Sequence, residues 1–321
     1  MTVRIDKYDA LGNDFLVLDL AQMSSQVGRQ SAGVSAGAAA ATAGASGASA
    51  PRLAPDWPAI ARAWCSRTTG AGADGLLLLT RSDDVEARMQ LFNSDGSSAE
   101  MSGNGARCFA HSLYRADAAR GERSYRLITD AGIRQVTVGA QASPILLDGG
   151  ADAESADRVT ASVDMGEVKP IAEPAGWSAI GTHPDRPVMH LSVGNPHTVV
   201  GVEDVHDVDL LTLGRKVPQV NLEVVAPGPE RNGITMRVHE RGAGLTQACG
   251  TGACASAWAA VWWGLVPQAS ERVEVVVHMP GGDAVVLVNA PSVGRTTLTG
   301  SSRFVASFEA SPDSPFEVTA R

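Results

Sequence analysis

The sequence has little of what marks many specialised proteins. Only 19% of its 321 residues are charged and 5% are aromatic, and 26 Lys and Arg face 35 Asp and Glu, a formal net charge of −9. No long Lys/Arg cluster offsets that balance locally, so no basic field is available to attract nucleic acid or an anionic membrane surface. Small molecules, or another copy of the chain, are the expected partners. Cysteine is scarce too. Cys65, Cys108, Cys249 and Cys254 make neither a CxxC pair nor a zinc-ligand spacing with any histidine, which argues against a disulfide framework and a structural metal. Packing, or chemistry in a reducing cytoplasm, is the remaining use. Met1 to Lys7 runs into an alternating strand pattern and lacks the apolar core of a secretory signal. The longest uncharged run, Gly242 to Ser270, opens with glycines and its helical part ends by Pro267, so it reads as a buried core helix and not a membrane span. With 44% hydrophobic residues the chain is expected to be soluble, cytoplasmic and long enough for two domains.

What is present is a stretch that occurs twice. Ser102-Gly103-Asn104-Gly105-Ala106-Arg107-Cys108 is echoed, nearly half the chain later, by Cys249-Gly250-Thr251-Gly252-Ala253-Cys254-Ala255. Each copy is a small nucleophilic residue, then Gly-x-Gly-Ala, then an apolar run of helical period. This is a turn feeding a helix N-terminus, where unpaired N–H groups and the positive end of the dipole favour an anion. A thiol there is expected to ionise more easily than a free one at about 8.5. The spacing predicts two helix ends facing one ligand across a pseudo-symmetric cleft.

The surrounding chain repeats as well. Val3 to Leu20 reads as strand, turn at Gly12-Asn13, strand; His190 to Val202 does the same around Gly194-Asn195-Pro196-His197. Trp57 to Arg67 has helical spacing and leads through a glycine-rich loop into a strand at Leu76 to Thr80, and Val208 to Lys216 precedes a strand at Asn221 to Val225. Arg88 to Asn93 and Thr235 to His239 are strands before the two repeated turns. Strands near Tyr125 to Thr129 and Arg134 to Val138, then Val159 to Met165, and a hairpin at Val273 to His278 and Ala284 to Val288 with a last strand pair over Arg295 to Phe308, follow the two helices. Ser31 to Ala50 is almost wholly Ala, Gly, Ser and Thr and reads as a surface insertion; the acidic stretch Gly149 to Asp157 reads as a loop. Many strands in hairpins with one central helix per half indicate an α+β architecture.

An acid and a base on opposite faces of one carbon are what a cofactor-independent racemase or epimerase needs. A thiol suits this because both protonation states lie within reach of the working pH. Amide donors at the helix ends would hold a carboxylate and stabilise developing enolate charge. Cys249, flanked by glycines at a helix start, is the thiol assigned to chemistry, while Cys65, Cys108 and Cys254 are assigned to packing. His197 and Glu240 each follow a strand at a polar break and together could tune a nearby thiol.

In order, Leu11-Gly12-Asn13-Asp14-Phe15, Arg67 to Gly75, Phe92-Asn93-Ser94-Asp95-Gly96-Ser97, Gly103-Asn104-Gly105-Ala106-Arg107, Gly194-Asn195-Pro196-His197, and Glu240-Arg241-Gly242-Ala243-Gly244 leading to Cys249-Gly250-Thr251-Gly252-Ala253 resemble the motifs of the diaminopimelate epimerases. The resemblance implies two α/β domains of similar fold, each a mainly antiparallel sheet wrapped around a central helix. The expected divisions are 1–135 with an insertion at about 24–54, 136–298, and a final strand over 299–321 returning to the first domain. It implies interconversion of LL- and meso-diaminopimelate in lysine and peptidoglycan precursor synthesis, without pyridoxal phosphate or metal, by a homodimer. Matched residue by residue, Cys249 takes the place of one catalytic thiol. Asn13, Asn93, Asn195 and Asn221, with Gly103, Asn104, Glu240, Arg241, Gly250 and Thr251, match substrate-binding positions, and His197 and Glu240 match groups that adjust the thiols. Gly75 stands where the family often has glutamine.

Ser102 departs from the family, because it stands at the other catalytic cysteine. A hydroxyl is not appreciably ionised near neutrality and needs a neighbouring base. A working Ser/Cys pair, an inactive form, and a same-fold isomerase or dehydratase resembling the proline racemases therefore remain as alternatives, with a non-catalytic amino-acid-binding protein as a further one.

Overall fold

Alternation of apolar and polar residues makes most of the chain extended, as in β1 (Val3–Ala10), where Val3, Ile5, Tyr8 and Ala10 point inward. The computed structural model describes residues 2–23, 55–81, 87–139, 157–268, 270–289, 294–312 and 314–320. The Ser31 to Ala50 tract, the 24–54 insertion and all but the end of the Gly149 to Asp157 stretch lie outside the described residues. The first half continues with β2 (Asn13–Asp19), α1 (Trp57–Trp64), β3 (Gly75–Thr80), β4 (Ala87–Asn93), β5 (Ser98–Ala99), α2 (Gly103–Ala116), β6 (Arg123–Thr129), β7 (Gly132–Val138) and β8 (Arg158–Glu167). The second runs through β9 (Lys169–Pro170), β10 (Val188–Ser192), β11 (Pro196–Gly201), α3 (Leu210–Gly214), β12 (Asn221–Pro227), β13 (Gly233–Glu240), β14 (Gly244–Thr246), α4 (Gly250–Trp262), β15 (Arg272–Met279), β16 (Gly282–Asn289), β17 (Arg295–Ser311) and β18 (Ser314–Ala320).

Strand pairing closes each half on itself. The ladder β1–β2–β3–β4–β6–β7–β8–β17 returns to β1. In the same way β10–β11–β12–β13–β15–β16–β17 reaches β8, whose continuation β9 pairs with β10. The long strand β17 and its neighbour β8 thus belong to both rings, which ties the halves through backbone hydrogen bonds. α2 and α4 run inside the rings. All of α4 from Gly250 to Val261 is buried, so it is apolar on every side, whereas α1 has the single buried stripe Ile60, Ala61, Ala63 and Trp64 of a helix lying on the outside. A core that includes Phe109 and Leu113 of α2, Ala255 and Trp258 of α4, and Leu298 fills the interior of both rings.

The mixed α+β class agrees with the sequence reading, but part of its reasoning does not. β2–β3, β4–β6, β11–β12 and β13–β15 are parallel, so each half contains crossovers as well as hairpins. The crossovers arise because α1, α2, α3 and α4 each separate two strands of one ring. The Val208 to Lys216 helix is shorter than expected, Leu210–Gly214, with Asp209 capping it through Thr212 N–H at 3.2 Å. The expected strand pair over Arg295 to Phe308 is one unbroken strand, because it must span both rings. Among the described residues no helix is long and apolar enough to cross a membrane.

Candidate active site

The two repeated turns do start the two central helices. Ser102 is the N-cap of α2, its Oγ accepting from Gly105 N–H at 3.0 Å, and Cys249 is the N-cap of α4, its Sγ accepting from Gly252 N–H at 3.4 Å. The N–H groups of Gly103 and Asn104, and of Gly250 and Thr251, fall in the first turn, where a helix offers them no carbonyl. The helix ends meet closely. A Cβ on Gly250 would lie 3.2 Å from Gly103 Cα, and a Cβ on either glycine would come within 2.8 Å of Leu298 Cδ2. Only glycine permits this approach, which brings two sets of free donors to one place.

Around Cys249 the strands supply acids. Cys249 is only 4% exposed, and Glu240, at the end of β13, lies beside it and accepts from Thr246 Oγ at 2.5 Å. Glu223 of β12 and His197 of β11 are fully buried and 2.6 Å apart, and Glu223 Oε1 would be 2.7 Å from a Cβ on Gly252. His197 also reaches Asn195 Oδ1 at 2.9 Å, and Asn195 donates to Thr251 Oγ at 3.3 Å. Burial, then the charges of Glu240 and Glu223, push the Cys249 thiol well above its ordinary value, against the hydrogen bonds from Thr251 and Gly252 N–H. This corrects the expectation that the helix dipole would dominate: one dipole end does not offset full burial beside two carboxylates. Burial also pushes the Glu240 carboxyl up. The other thiols, Cys65, Cys108 and Cys254, are buried in the core and pushed by that burial to about 12.

Around Ser102 the arrangement is different. Asn104 donates to Asn13 Oδ1 at 3.2 Å, and Asn13 donates to Asp74 Oδ2 at 2.7 Å. Arg67 bridges Asp74 and Asp14 at 2.7 Å each, and Lys7 adds a third contact to Asp14 at 2.7 Å. Burial opposes ionisation of Asp14, but Arg67 and Lys7 outweigh it and hold its carboxyl below the usual range. Behind the helix end Arg107, fully buried, donates to Asn104 Oδ1 at 2.6 Å, and desolvation lowers its guanidinium to about 10.

The structure therefore gathers most of the residues singled out from the sequence. Gly103, Asn104, Gly250 and Thr251 form the facing turns, with Asn13, Asn195, Glu240 and His197 beside them. Asn221 is buried with its amide taken up by Pro196 O and Arg241 N–H, so it holds the backbone that carries Arg241, whose side chain is exposed. Asn93, at the end of β4, donates to Ser97 Oγ at 2.9 Å. Sequence reasoning missed Glu223 and Arg107. Glu223 carried a usable signal, a single charge inside the apolar strand Leu222 to Val225. Arg107 carried none, since a helical Arg is ordinarily exposed. A cavity of about 530 Å³ lined by Trp258, Trp262 and His190 lies toward the other end of α4 and contains none of these residues.

Comparison with known proteins gives a family. The family model described as "Diaminopimelate epimerase" matches residues 49–153 and 189–305. A diaminopimelate epimerase from Desulfitobacterium hafniense is 37% identical over 78% of this chain and 87% of its own. One from Thermosynechococcus vestitus is 34% identical over 91% of this chain and 94% of its own. Among solved structures, a phenazine biosynthesis protein from Bacillus anthracis superposes with a TM-score of 0.65 over 97% of this chain and 99% of its own, at 14% identity, which shows a shared fold.

Proposed function

From the premise that the chain belongs to the diaminopimelate epimerase family, we propose that it interconverts LL- and meso-2,6-diaminopimelate by removing and returning the α-proton, in lysine and peptidoglycan precursor synthesis. The observation that carries the reading is the close approach of the two glycine-led helix ends, one capped by a thiol and the other by a hydroxyl. The N–H groups of Gly103, Asn104, Gly250 and Thr251 grip the substrate carboxylate and receive the charge that moves onto it as the α-carbon loses its proton. Asn13, Asn93, Asn195, Asn221, Glu240 and Arg241 bind or frame the rest of the substrate.

Cys249 works on one face. Glu240 takes the thiol proton, the thiolate removes the α-proton, and the C–H electron pair moves into the enolate. On the opposite face Ser102 relays: its O–H proton passes to the carbon while its oxygen takes a proton from water, and the hydroxide this leaves is neutralised by the proton that Glu240 returns to solvent, so neither alkoxide nor hydroxide accumulates. His197 and Glu240 adjust the thiol. The same reading divides the chain into 1–135, 136–298 and a returning 299–321, and makes the protein a cytoplasmic homodimer.

Incubation with LL-diaminopimelate in deuterated water tests the proposal. Epimerisation requires α-deuterium in the inverted product. Exchange without inversion would leave Cys249 as a lone working base, and binding without exchange would assign the chain to amino-acid capture.

A further inference from the structure

Five side chains stand in single file from the core to the thiol. Glu223 Oε1 lies 2.6 Å from His197 Nδ1, His197 Nε2 lies 2.9 Å from Asn195 Oδ1, Asn195 Nδ2 lies 3.3 Å from Thr251 Oγ, and Thr251 Oγ lies 3.5 Å from Cys249 Sγ. Each link takes one hydrogen, and each group has a fixed supply, so the file has a direction. An imidazolium donates from both ring nitrogens, to the Glu223 carboxylate and to the Asn195 amide oxygen. Asn195 then donates from Nδ2 into a lone pair of Thr251, and the hydroxyl hydrogen of Thr251 is left for Cys249.

A neutral His197 that keeps its proton on Nδ1 reverses everything beyond it. Nε2 becomes an acceptor, the Asn195 amide turns over to donate to it, and the amide oxygen takes the Thr251 hydrogen. The sulfur then loses its donor. The amide orientation in the structure, oxygen toward His197, belongs to the first arrangement. In that arrangement both ring nitrogens face acceptor oxygens, Glu223 Oε1 at 2.6 Å from Nδ1 and Asn195 Oδ1 at 2.9 Å from Nε2.

We propose that Glu223 is a positioning residue which, through His197 and Asn195, aims the Thr251 hydroxyl hydrogen at the Cys249 sulfur and so stabilises the thiolate. The proposal rests on Cys249 being the working thiol. The groups facing that sulfur are Glu240 from β13 and Glu223 from β12, whose charges oppose ionisation, and Thr251 and Gly252 N–H from α4, which favour it. Of the two arginines of α2, Arg107 lies buried behind the helix end across the cleft, and Arg115 lies in the last turn at the far end. Acting as a bare charge, Glu223 would only hinder the thiolate. Acting through the file, it helps. The two roles predict opposite signs when the charge is removed.

The test is the rate at which iodoacetamide alkylates Cys249 near pH 7 in the full chain without substrate, followed by peptide mass mapping. Glu223→Gln removes the anionic acceptor facing His197 Nδ1 and is expected to slow alkylation about tenfold, the scale of one hydrogen bond to a charged group. Thr251→Val is expected to slow it equally, the double variant no further, and Thr251→Ser not at all. Faster alkylation in Glu223→Gln, or effects at 223 and 251 that multiply in the double variant, would overturn the proposal. Should Glu223→Gln not fold, the ring ¹⁵N shifts of His197 in the unmutated protein decide the matter: two protonated nitrogens support the file, and a neutral ring refutes it. Neither measurement uses diaminopimelate, so a negative result here is separate from failure of the epimerase reading.

Discussion

Around Cys249 the supporting strands carry His197, Glu223 and Glu240; at the matching places around Ser102 they carry Phe15, Leu77 and Asn93. The match follows from strand register, since Phe15 pairs with Gly75 and Gly75 with Asn93, as His197 pairs with Asn221 and Leu222 with His239. It is confirmed at the glycines, where Gly105 faces Leu77 Cδ2 and Gly252 faces Glu223 Oε1. Arg107, in turn, occupies the helical position that Cys254 occupies in α4. The repeated backbone thus presents the same donors twice, while at these matched positions the carboxylates stand only in the second half and a buried cation only in the first. Duplication of a fold does not duplicate its chemistry. A hydroxyl at 102 is held by Gly105 N–H at a helix end flanked by the Asn104–Asn13 amide pair, and a thiol at 249 is held among carboxylates.

The largest effect should come from removing the thiol. Cys249→Ala is expected to lower epimerisation by about 10³- to 10⁴-fold, the upper range for an acid–base group, measured by chiral separation of LL- and meso-diaminopimelate. If the loss were only severalfold, the chemistry would not reside in the second half. Ser102→Ala should cost less, about 10²-fold, since a relay can be replaced in part by water. Ser102→Cys sharpens the comparison further. A thiol at 102 has no equivalents of Glu240 and Glu223 to oppose its ionisation, so the variant is expected to gain about tenfold in α-deuterium incorporation. A sharp fall instead would mean that the first half is shaped for a hydroxyl.

Glu240→Gln separates two roles of one carboxylate. Its charge opposes ionisation of Cys249, so the variant's thiol should titrate lower and react several times faster with iodoacetamide near pH 7. Its place beside the sulfur makes it the proton acceptor, so epimerisation should nonetheless fall about tenfold. Parallel changes in both assays would remove Glu240 from the proton path.

Much of this asymmetry is legible in the sequence alone. The paired Gly-x-Gly-Ala turns, the Gly12-Asn13 and Gly194-Asn195 breaks and the central helices all follow from local pattern, because glycine turns and helical periodicity are short-range signals. That Ser102 stands in place of a cysteine follows from the family resemblance, whereas pattern alone shows only a serine at one turn and a cysteine at the other. What pattern could not give is contact across the chain. Glu223 matters because β11 and β12 are parallel neighbours, which puts it against His197, 26 residues away. The parallel pairs themselves were hidden, since a crossover and a hairpin differ in connection and not in strand composition. The ionisation of Cys249 was misjudged for the same reason: the helix end was visible in sequence, and the carboxylates packed against it were not.

The smallest expected effect lies at the tips of matching hairpins. Ile128 pairs with Ile133 at the β6–β7 turn, while at the corresponding place in the second half His278 pairs with Asp283. His278 Nδ1 is 2.8 Å from Asp283 and Nε2 is 2.7 Å from Glu230, and the two carboxylates raise the imidazole above its ordinary value although desolvation opposes them. A raised folded value means that the charged ring stabilises the hairpin fully below about pH 6.5, and that this contribution fades as pH rises through the folded value. The pair is partly solvated, so the loss should be at most about 1 kcal/mol. The β15–β16 turn also supports the first half, because Gly281 packs against Leu11 O, beside the turn that carries Asn13. Thermal unfolding followed between about pH 6 and 8 should therefore show a small decline that His278→Gln abolishes. An unchanged decline in that variant would place the pH-sensitive group elsewhere, and would leave the apolar and ionic hairpins equivalent in stability.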